Sequence, residues 1–327
     1  MPTRPLTRAV MGLGGVASAG VGLYAAWLRS KRLRLAARSR LVQTPLGPLE
    51  YAEAWSGPPV LVAHGILGGW DQGMLITQLA AQDERNLHVI SVSRWGYLRS
   101  PMPRNPAHRT HEAQADAYAS LLDTIGIDRV AMVGISGGGP SAIQFALRHP
   151  DRIWALVSIA GVSGRLDPGL TRKERALLGI LNNDLGLLTL RTFARERVMS
   201  IYGMTPERLA ALRSEPDKLR VVEAIYFPHP LALRRGGFAL DLALFPNIPR
   251  YPVERIGVPT LAVHGSADST VPFSHSQFLA DNVPGARLLT IEGGGHLSIV
   301  THKEVALTGV YHFLQEHAPS TDESRRR

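Results

Sequence analysis

The 327-residue sequence contains no cysteine. That excludes disulfides, thiolate metal sites, iron–sulfur clusters and a cysteine nucleophile. Acidic residues are missing from the first forty positions, which hold Arg4, Arg8, Arg29, Lys31, Arg32, Arg34, Arg38 and Arg40. These cations account for nearly all of the formal net charge of +9, so the rest of the chain is close to neutral. A basic stripe across a folded domain is therefore not implied, and no nucleic-acid partner is expected. No H-E-x-x-H occurs, and His108 and His111, beside Pro106, read as surface residues. No G-K-[ST] follows the glycines at 137–139, which removes a phosphate-binding P-loop. Neither a metal nor a cofactor is expected. Repeats and long low-complexity tracts are also missing.

What is present is ordinary for a folded chain: 45% hydrophobic and 19% charged residues. The length suits one large domain, or a core carrying a sizeable insertion.

Ala9–Leu28 is an uncharged run long enough, as a helix, to cross a bilayer core. Tyr24 and Trp27 lie near its end, and Gly14, Ser18 and Gly22 form a small-residue stripe. The expectation is a membrane anchor over residues 9–28. The basic flank Arg29–Arg40 would then keep the body on the cytoplasmic side. Two alternatives stand beside it: a signal peptide cut after Ala17-Ser18-Ala19, with export, and a soluble or surface-lying helix.

Beyond Leu41, short apolar runs alternate with longer amphipathic ones, as in a mostly parallel sheet covered by helices. Leu49–Ala54 alternates like an edge strand. Pro59–Ala63, Leu87–Val92, Arg129–Val133, Ile153–Ile159, Thr260–Val263 and Arg287–Ile291 read as buried strands. Helices are expected at Asp71–Ala81, His111–Ile125, Pro140–Arg148, Ser274–Asn282 and His302–Glu316. Between residues 163 and 255 the strand signal lapses. Arg172–Leu181, Leu187–Tyr202, Pro206–Ser214 and Asp217–Tyr226 look helical there, and an insertion of this size reads as a cap over a pocket. The expected organisation is an anchor and basic flank at 1–40, a core at 41–162 and 256–318, a helical cap at 163–255 and a disordered tail at 319–327.

Four motifs carry chemistry. Gly134-Ile135-Ser136-Gly137-Gly138 lies between a strand and a helix, the setting of a nucleophile elbow. The turn must expose Ser136 Oγ, and flanking glycines remove side chains that would collide. His64-Gly65-Ile66-Leu67-Gly68-Gly69 follows a buried strand and can turn an amide toward that serine. The N–H groups of Ile66 and Gly137 are the expected oxyanion hole, with His64 structural. His264-Gly265-Ser266-Ala267-Asp268 and Gly293-Gly294-Gly295-His296 each follow a strand, placing an acid and a base on one edge of the sheet. The expected catalytic set is Ser136 as nucleophile, His296 as base and Asp268 as the acid that orients it.

These motifs resemble the α/β-hydrolase superfamily, and the resemblance covers about Leu46 to Glu316. One departure is visible. Many relatives carry an aspartate in a D-x-R-G-x-G-x-S segment, where this chain reads Ser93-Arg94-Trp95-Gly96-Tyr97-Leu98-Arg99-Ser100. The resemblance implies the α/β-hydrolase fold, an acyl-enzyme mechanism and a small-molecule ester substrate of the carboxylesterase or lipase kind. Ser136 at the elbow argues against relatives with an aspartate nucleophile, which dehalogenate or open epoxides. Phe193, Phe227, Phe238 and Phe245 fit an apolar acyl or alkyl group, or equally the insertion's own core. Acyl transfer, lyase or perhydrolase chemistry would use the same serine. A non-hydrolytic ligand-binding member is the remaining alternative.

Overall fold

The computed structural model describes residues 4–79, 86–167, 183–201 and 204–319. The chain divides into two compact units, Met1–Ser39 and Arg40–Arg327. In the first, helix α1 spans Arg4–Ala36, with Tyr24 and Trp27 stacked at 5.8 Å. No helix among the described residues is long and apolar enough to cross a membrane. Side chains of α1 are described from Gly20 onward. Residues 9–19 of the expected anchor lie outside the described side chains. The membrane anchor and the orientation drawn from it are therefore not supported.

The second unit is built on an eight-stranded sheet in the order β1-β2-β4-β3-β5-β6-β7-β8. The strands are β1 Arg40–Thr44, β2 Gly47–Ala54, β3 Pro59–Ala63, β4 His88–Val92, β5 Val130–Ile135, β6 Ile153–Ile159, β7 Thr260–Gly265 and β8 Arg287–Ile291. β1 pairs antiparallel with β2 and β2 with β4; all later pairings are parallel. Every residue of β5, β6 and β7 is buried. That explains why their sequences are continuous apolar runs rather than alternating ones. The edge expectation for Leu49–Ala54 is corrected. The short, polar RLVQT of β1 holds the edge, and β2 lies inside it.

Helices α2 Trp70–Thr77, α3 His111–Ile125, α4 Gly139–Arg148 and α10 Ser274–Asn282 connect strands, and α11 Ser298–Thr301 and α12 Lys303–His317 follow β8. α3 begins where Thr110 Oγ1 accepts the Ala113 N–H at 3.1 Å, and it ends at Gly126, whose φ of 71° suits glycine. Between β6 and β7 lie α5 Asp184–Phe193, α6 Arg195–Ile201, α7 Pro206–Arg213, α8 Pro216–Tyr226 and α9 Arg235–Leu244, with no strand among the described residues. The expected helix Leu187–Tyr202 is two helices, and α9 is an addition to the sequence reading. The helix expected at Arg172–Leu181 and the tail from Ser320 lie outside the described residues.

His111 is not a surface residue: it is 7% exposed. Its ring stacks on Phe245 at 6.2 Å, and its Nδ1 lies 3.2 Å from Tyr251 Oη. Burial, helped by the charge of Arg94, pushes its imidazole down to about 3. Below the ordinary histidine pKa near 6.5, the unfolded chain takes up a proton that the folded one refuses. The stability contributed by neutral His111 is thus complete above pH ~6.5 and drains as pH falls toward 3. Urea denaturation at pH 7 and pH 5 should show a loss of about 1–2 kcal/mol. His111→Phe, which keeps a ring against Phe245, should flatten that pH dependence; an unchanged slope would remove His111 as its source.

Candidate active site

The turn after β5 forces Ser136 to a φ of 50°, a left-handed conformation unusual for a residue with a side chain. The flanking glycines permit it. A Cβ on Gly138 would stand 2.2 Å from the Ala63 carbonyl oxygen, and one on Gly134 would stand 2.7 Å from the Ala142 Cβ. Each contact is closer than real Cβ atoms allow, so G-x-S-x-G is a packing requirement here as well as a conformational one.

The structure brings Ser136, His296 and Asp268 together. Ser136 Oγ is 3.0 Å from His296 Nε2, and His296 Nδ1 is 2.7 Å from Asp268 Oδ2. The loop after β7 also fixes the carboxylate through its other oxygen: Asp268 Oδ1 accepts the N–H groups of Thr270 at 2.8 Å and Val271 at 3.0 Å. Burial opposes the charged carboxylate, yet the hydrogen bonds from His264 and His296 outweigh it. They hold Asp268 well below the usual carboxylate range. An ionised Asp268 can only accept, so His296 Nδ1 carries the proton and Nε2 is left to accept from the Ser136 hydroxyl.

Ile66 and Gly137 also meet. A Cβ on Gly137 would lie 3.3 Å from the Ile66 nitrogen. The neighbouring amides of the loop are engaged: Gly65 donates to Gln72 Oε1 at 3.0 Å, Leu67 to Tyr97 Oη at 3.3 Å, and Gly68 to the Gly65 carbonyl at 3.3 Å. His64 lies behind them. Its Nδ1–H donates to the Gly65 carbonyl at 2.6 Å, and its Nε2 accepts the Arg94 N–H at 3.0 Å.

A sequence profile described as alpha/beta hydrolase fold matches residues 58–303. The chain belongs to the α/β-hydrolase family. An uncharacterized hydrolase of Bacillus subtilis is 28% identical, over 80% of this chain and 93% of that protein. The 2-hydroxymuconate semialdehyde hydrolase of a Pseudomonas species is 27% identical, over 81% and 89%. Among solved structures, an alpha/beta hydrolase fold protein from Nakamurella multipartita superposes with a TM-score of 0.72. It is 30% identical and covers 85% of this chain and 99% of its own.

In this α/β-hydrolase Ser136 and His296 border a cleft that is partly open to solvent. Its wall is largely apolar, with Ile66, Ile135, Ile159, Ile225, Leu297 and Ile299 prominent. None of the four insertion phenylalanines lines it. Phe193 is 84% exposed, while Phe227 and Phe245 are buried.

Sequence reading missed the groups that hold the site. His264 Nε2 reaches Asp268 Oδ2 at 3.1 Å and the Val271 carbonyl at 3.0 Å, while Nδ1 is 2.7 Å from Ser276 Oγ. The contacts to Asp268 and Val271, both acceptors, require a proton on His264 Nε2. Its H-G-x-x-D motif was the available signal. Arg94 donates to Asp241 of α9 through two nitrogens, at 2.7 and 2.6 Å, and to the carbonyls of His64 at 3.0 Å and Gly65 at 3.2 Å. Tyr97 donates to Asp241 at 2.6 Å, and burial together with that carboxylate pushes the phenol pKa well up. Arg234 donates to the Gly68 carbonyl and, at 2.6 Å, to Asp71. The insertion thus grips the Ile66 loop from behind. The departure at Ser93 has a counterpart too. Glu50 of β2 places a buried carboxylate there, accepting from Ser93 Oγ at 3.3 Å and Arg99 N at 2.8 Å.

Asp241→Ala would leave the Arg94 charge buried beside the loop without its partner. The expected cost is about 3–5 kcal/mol in chemical denaturation. A paired apolar replacement, Arg94→Met with Asp241→Leu, should recover much of that stability but not the loop's geometry. If the single variant loses less than ~1 kcal/mol, the grip on the loop is not energetic.

Proposed function

We propose that this hydrolase cleaves a neutral, largely apolar carboxylic ester through a serine-bound acyl intermediate. The observation that carries this reading is the relay Ser136 Oγ, His296 Nε2, His296 Nδ1, Asp268 Oδ2, with links of 3.0 and 2.7 Å at the wall of an apolar cleft. His296 takes the Ser136 proton as Oγ attacks the carbonyl. The N–H groups of Ile66 and Gly137 then receive the oxyanion. His296 protonates the departing alcohol, and the same imidazole next draws a proton from water as it releases the acid. Asp268 keeps the imidazole in the required tautomer and stabilises its positive form.

The substrate class follows from the cleft. Apart from His296 no ionisable base lines it among the described residues, so a carboxylate on the substrate would enter without a counter-charge. The insertion, in this reading, is the cap that closes the cleft: Ile225 and Tyr226, at the end of α8, line it opposite the β-strand loops.

The test is hydrolysis of p-nitrophenyl esters from acetate to palmitate, with a carbamate and an anionic ester alongside. Neutral esters should be preferred, and the chain-length optimum would size the cleft. Ser136→Ala and His296→Ala should each lower kcat by about 10³-fold or more, and Ser136→Ala should abolish labelling by a fluorophosphonate. Full activity in Ser136→Ala would sink the assignment. Wild-type protein that neither turns over esters nor takes the label would point to ligand binding instead.

A further inference from the structure

β8 ends at Ile291, and Glu292, Gly293, Gly294 and Gly295 carry the chain to His296. Three successive glycines have no side chains with which to pack, and glycine has more backbone freedom to lose than any other residue. The path of this tether, and so the seat of His296, is set by its backbone hydrogen bonds. Four of them come from the core. Gly293 N–H donates to Ser266 Oγ at 2.8 Å. Gly294 donates to the Ile291 carbonyl at 2.9 Å and accepts the Ala267 N–H at 2.9 Å. The Gly295 carbonyl accepts the Ser298 N–H at 3.0 Å. A fifth comes from the insertion: the Arg208 guanidinium of α7 donates to the Gly293 carbonyl. A second contact crosses the same boundary on the far side of His296 in sequence. Lys218 of α8 is 5% exposed, and its ammonium lies 3.1 Å from Glu304 of α12 and 2.8 Å from Glu215. The α7–α8 pair thus holds the chain both before and after His296.

We propose that Arg208 is a positioning residue for the general base, a role that rests on the serine mechanism proposed above. By donating to the Gly293 carbonyl it keeps the glycine tether on the path that brings His296 Nε2 to Ser136 Oγ. Arg208 acts only through the loop. It is not among the residues that line the cleft, so it touches neither the substrate nor the reacting atoms. The ion pair of Lys218 with Glu304 keeps α8 down on the core, and Arg208 therefore reaches Gly293 from a helix pair that is itself anchored. Without the guanidinium, the Gly293 carbonyl turns to water and the tether gains other paths. His296 then spends less time at its 3.0 Å contact with Ser136. Acylation and deacylation both need that imidazole, so both should slow.

Arg208→Ala should lower kcat for p-nitrophenyl esters, and the rate of fluorophosphonate labelling, by roughly fivefold each, with KM almost unchanged. Tm should barely move, because the bond lies at the surface. Guanidinium ion, added well below denaturing concentration, should restore part of the lost rate to Arg208→Ala and should not stimulate the wild type. Arg208→Lys, which keeps a charged donor, should also recover part of it. In proton NMR the downfield signal of the hydrogen on His296 Nδ1, shared with Asp268, should broaden in Arg208→Ala as exchange with water becomes easier. Arg220→Ala, at an exposed arginine of α8, should change none of these. Unchanged kcat and labelling in Arg208→Ala would overturn the proposal. So would a rise in KM with kcat intact, which would put Arg208 in substrate binding. A loss of activity that tracks a fall in Tm and ignores guanidinium would overturn it too, since the role would then be structural. A wild type that takes no label is a separate outcome, because it removes the serine mechanism itself.

Discussion

A carboxylate taken out of water stays charged only if hydrogen bonds replace its lost hydration, and Asp268 is supplied from both sides. Two backbone N–H groups close on Oδ1, and two imidazoles converge on Oδ2. The remaining geometry of the site follows from that charge. It sets which nitrogen of His296 bears the proton and hence which one faces Ser136. It also places a proton on His264 Nε2, which donates to the same oxygen. A neutral carboxyl in that place would scramble all three assignments. The loop therefore keeps its side chain ionised by design of its backbone, with His264 as a fixed support.

The Ile66 loop is held by a second set of buried charges that comes from a different part of the chain. Asp241 and Arg234 belong to the insertion, yet their partners are Arg94, Tyr97, Asp71 and the carbonyls of the loop. Buried ion pairs contribute little net stability, because desolvation offsets most of the attraction. Their value is in specifying one arrangement. Here the arrangement fixed is the path of the chain from His64 to Gly69, so the insertion and the Ile66 loop act as one piece at this corner.

The sheet was legible because strands buried on both faces have no choice but to be continuous apolar runs, and Pro59–Ala63 and Ile153–Ile159 coincide with observed strands; Arg287–Ile291 coincides with β8 but is not the buried strand expected, since it forms the other edge of the sheet and is only partly covered. Ser136, Asp268 and His296 were legible as candidates because each stands on a loop directly after a strand run, and the structure brings the three together. β1 was not legible, since the polar RLVQT of an exposed edge has no apolar signature. α9 was missed because its lone acid, Asp241, reads as a surface residue unless its partner 147 positions away is known. His111 was misjudged for the related reason that polar neighbours in sequence say nothing about what packs over a side chain in space. Long-range pairing is what local patterning leaves out.

The hydrogen bond between Ser136 and His296 spans 160 positions of sequence. Ser136 stands at the end of β5, while its imidazole arrives only after β8, which adds to the outer edge of the sheet beside β7. A ribosome would release the elbow, the Ile66 loop and the whole insertion long before His296 emerges. Domains generally begin folding from the N-terminal side during synthesis. The growing chain thus carries Ser136 before His296 can reach it. Their contact forms only once β8 has joined the edge of the sheet.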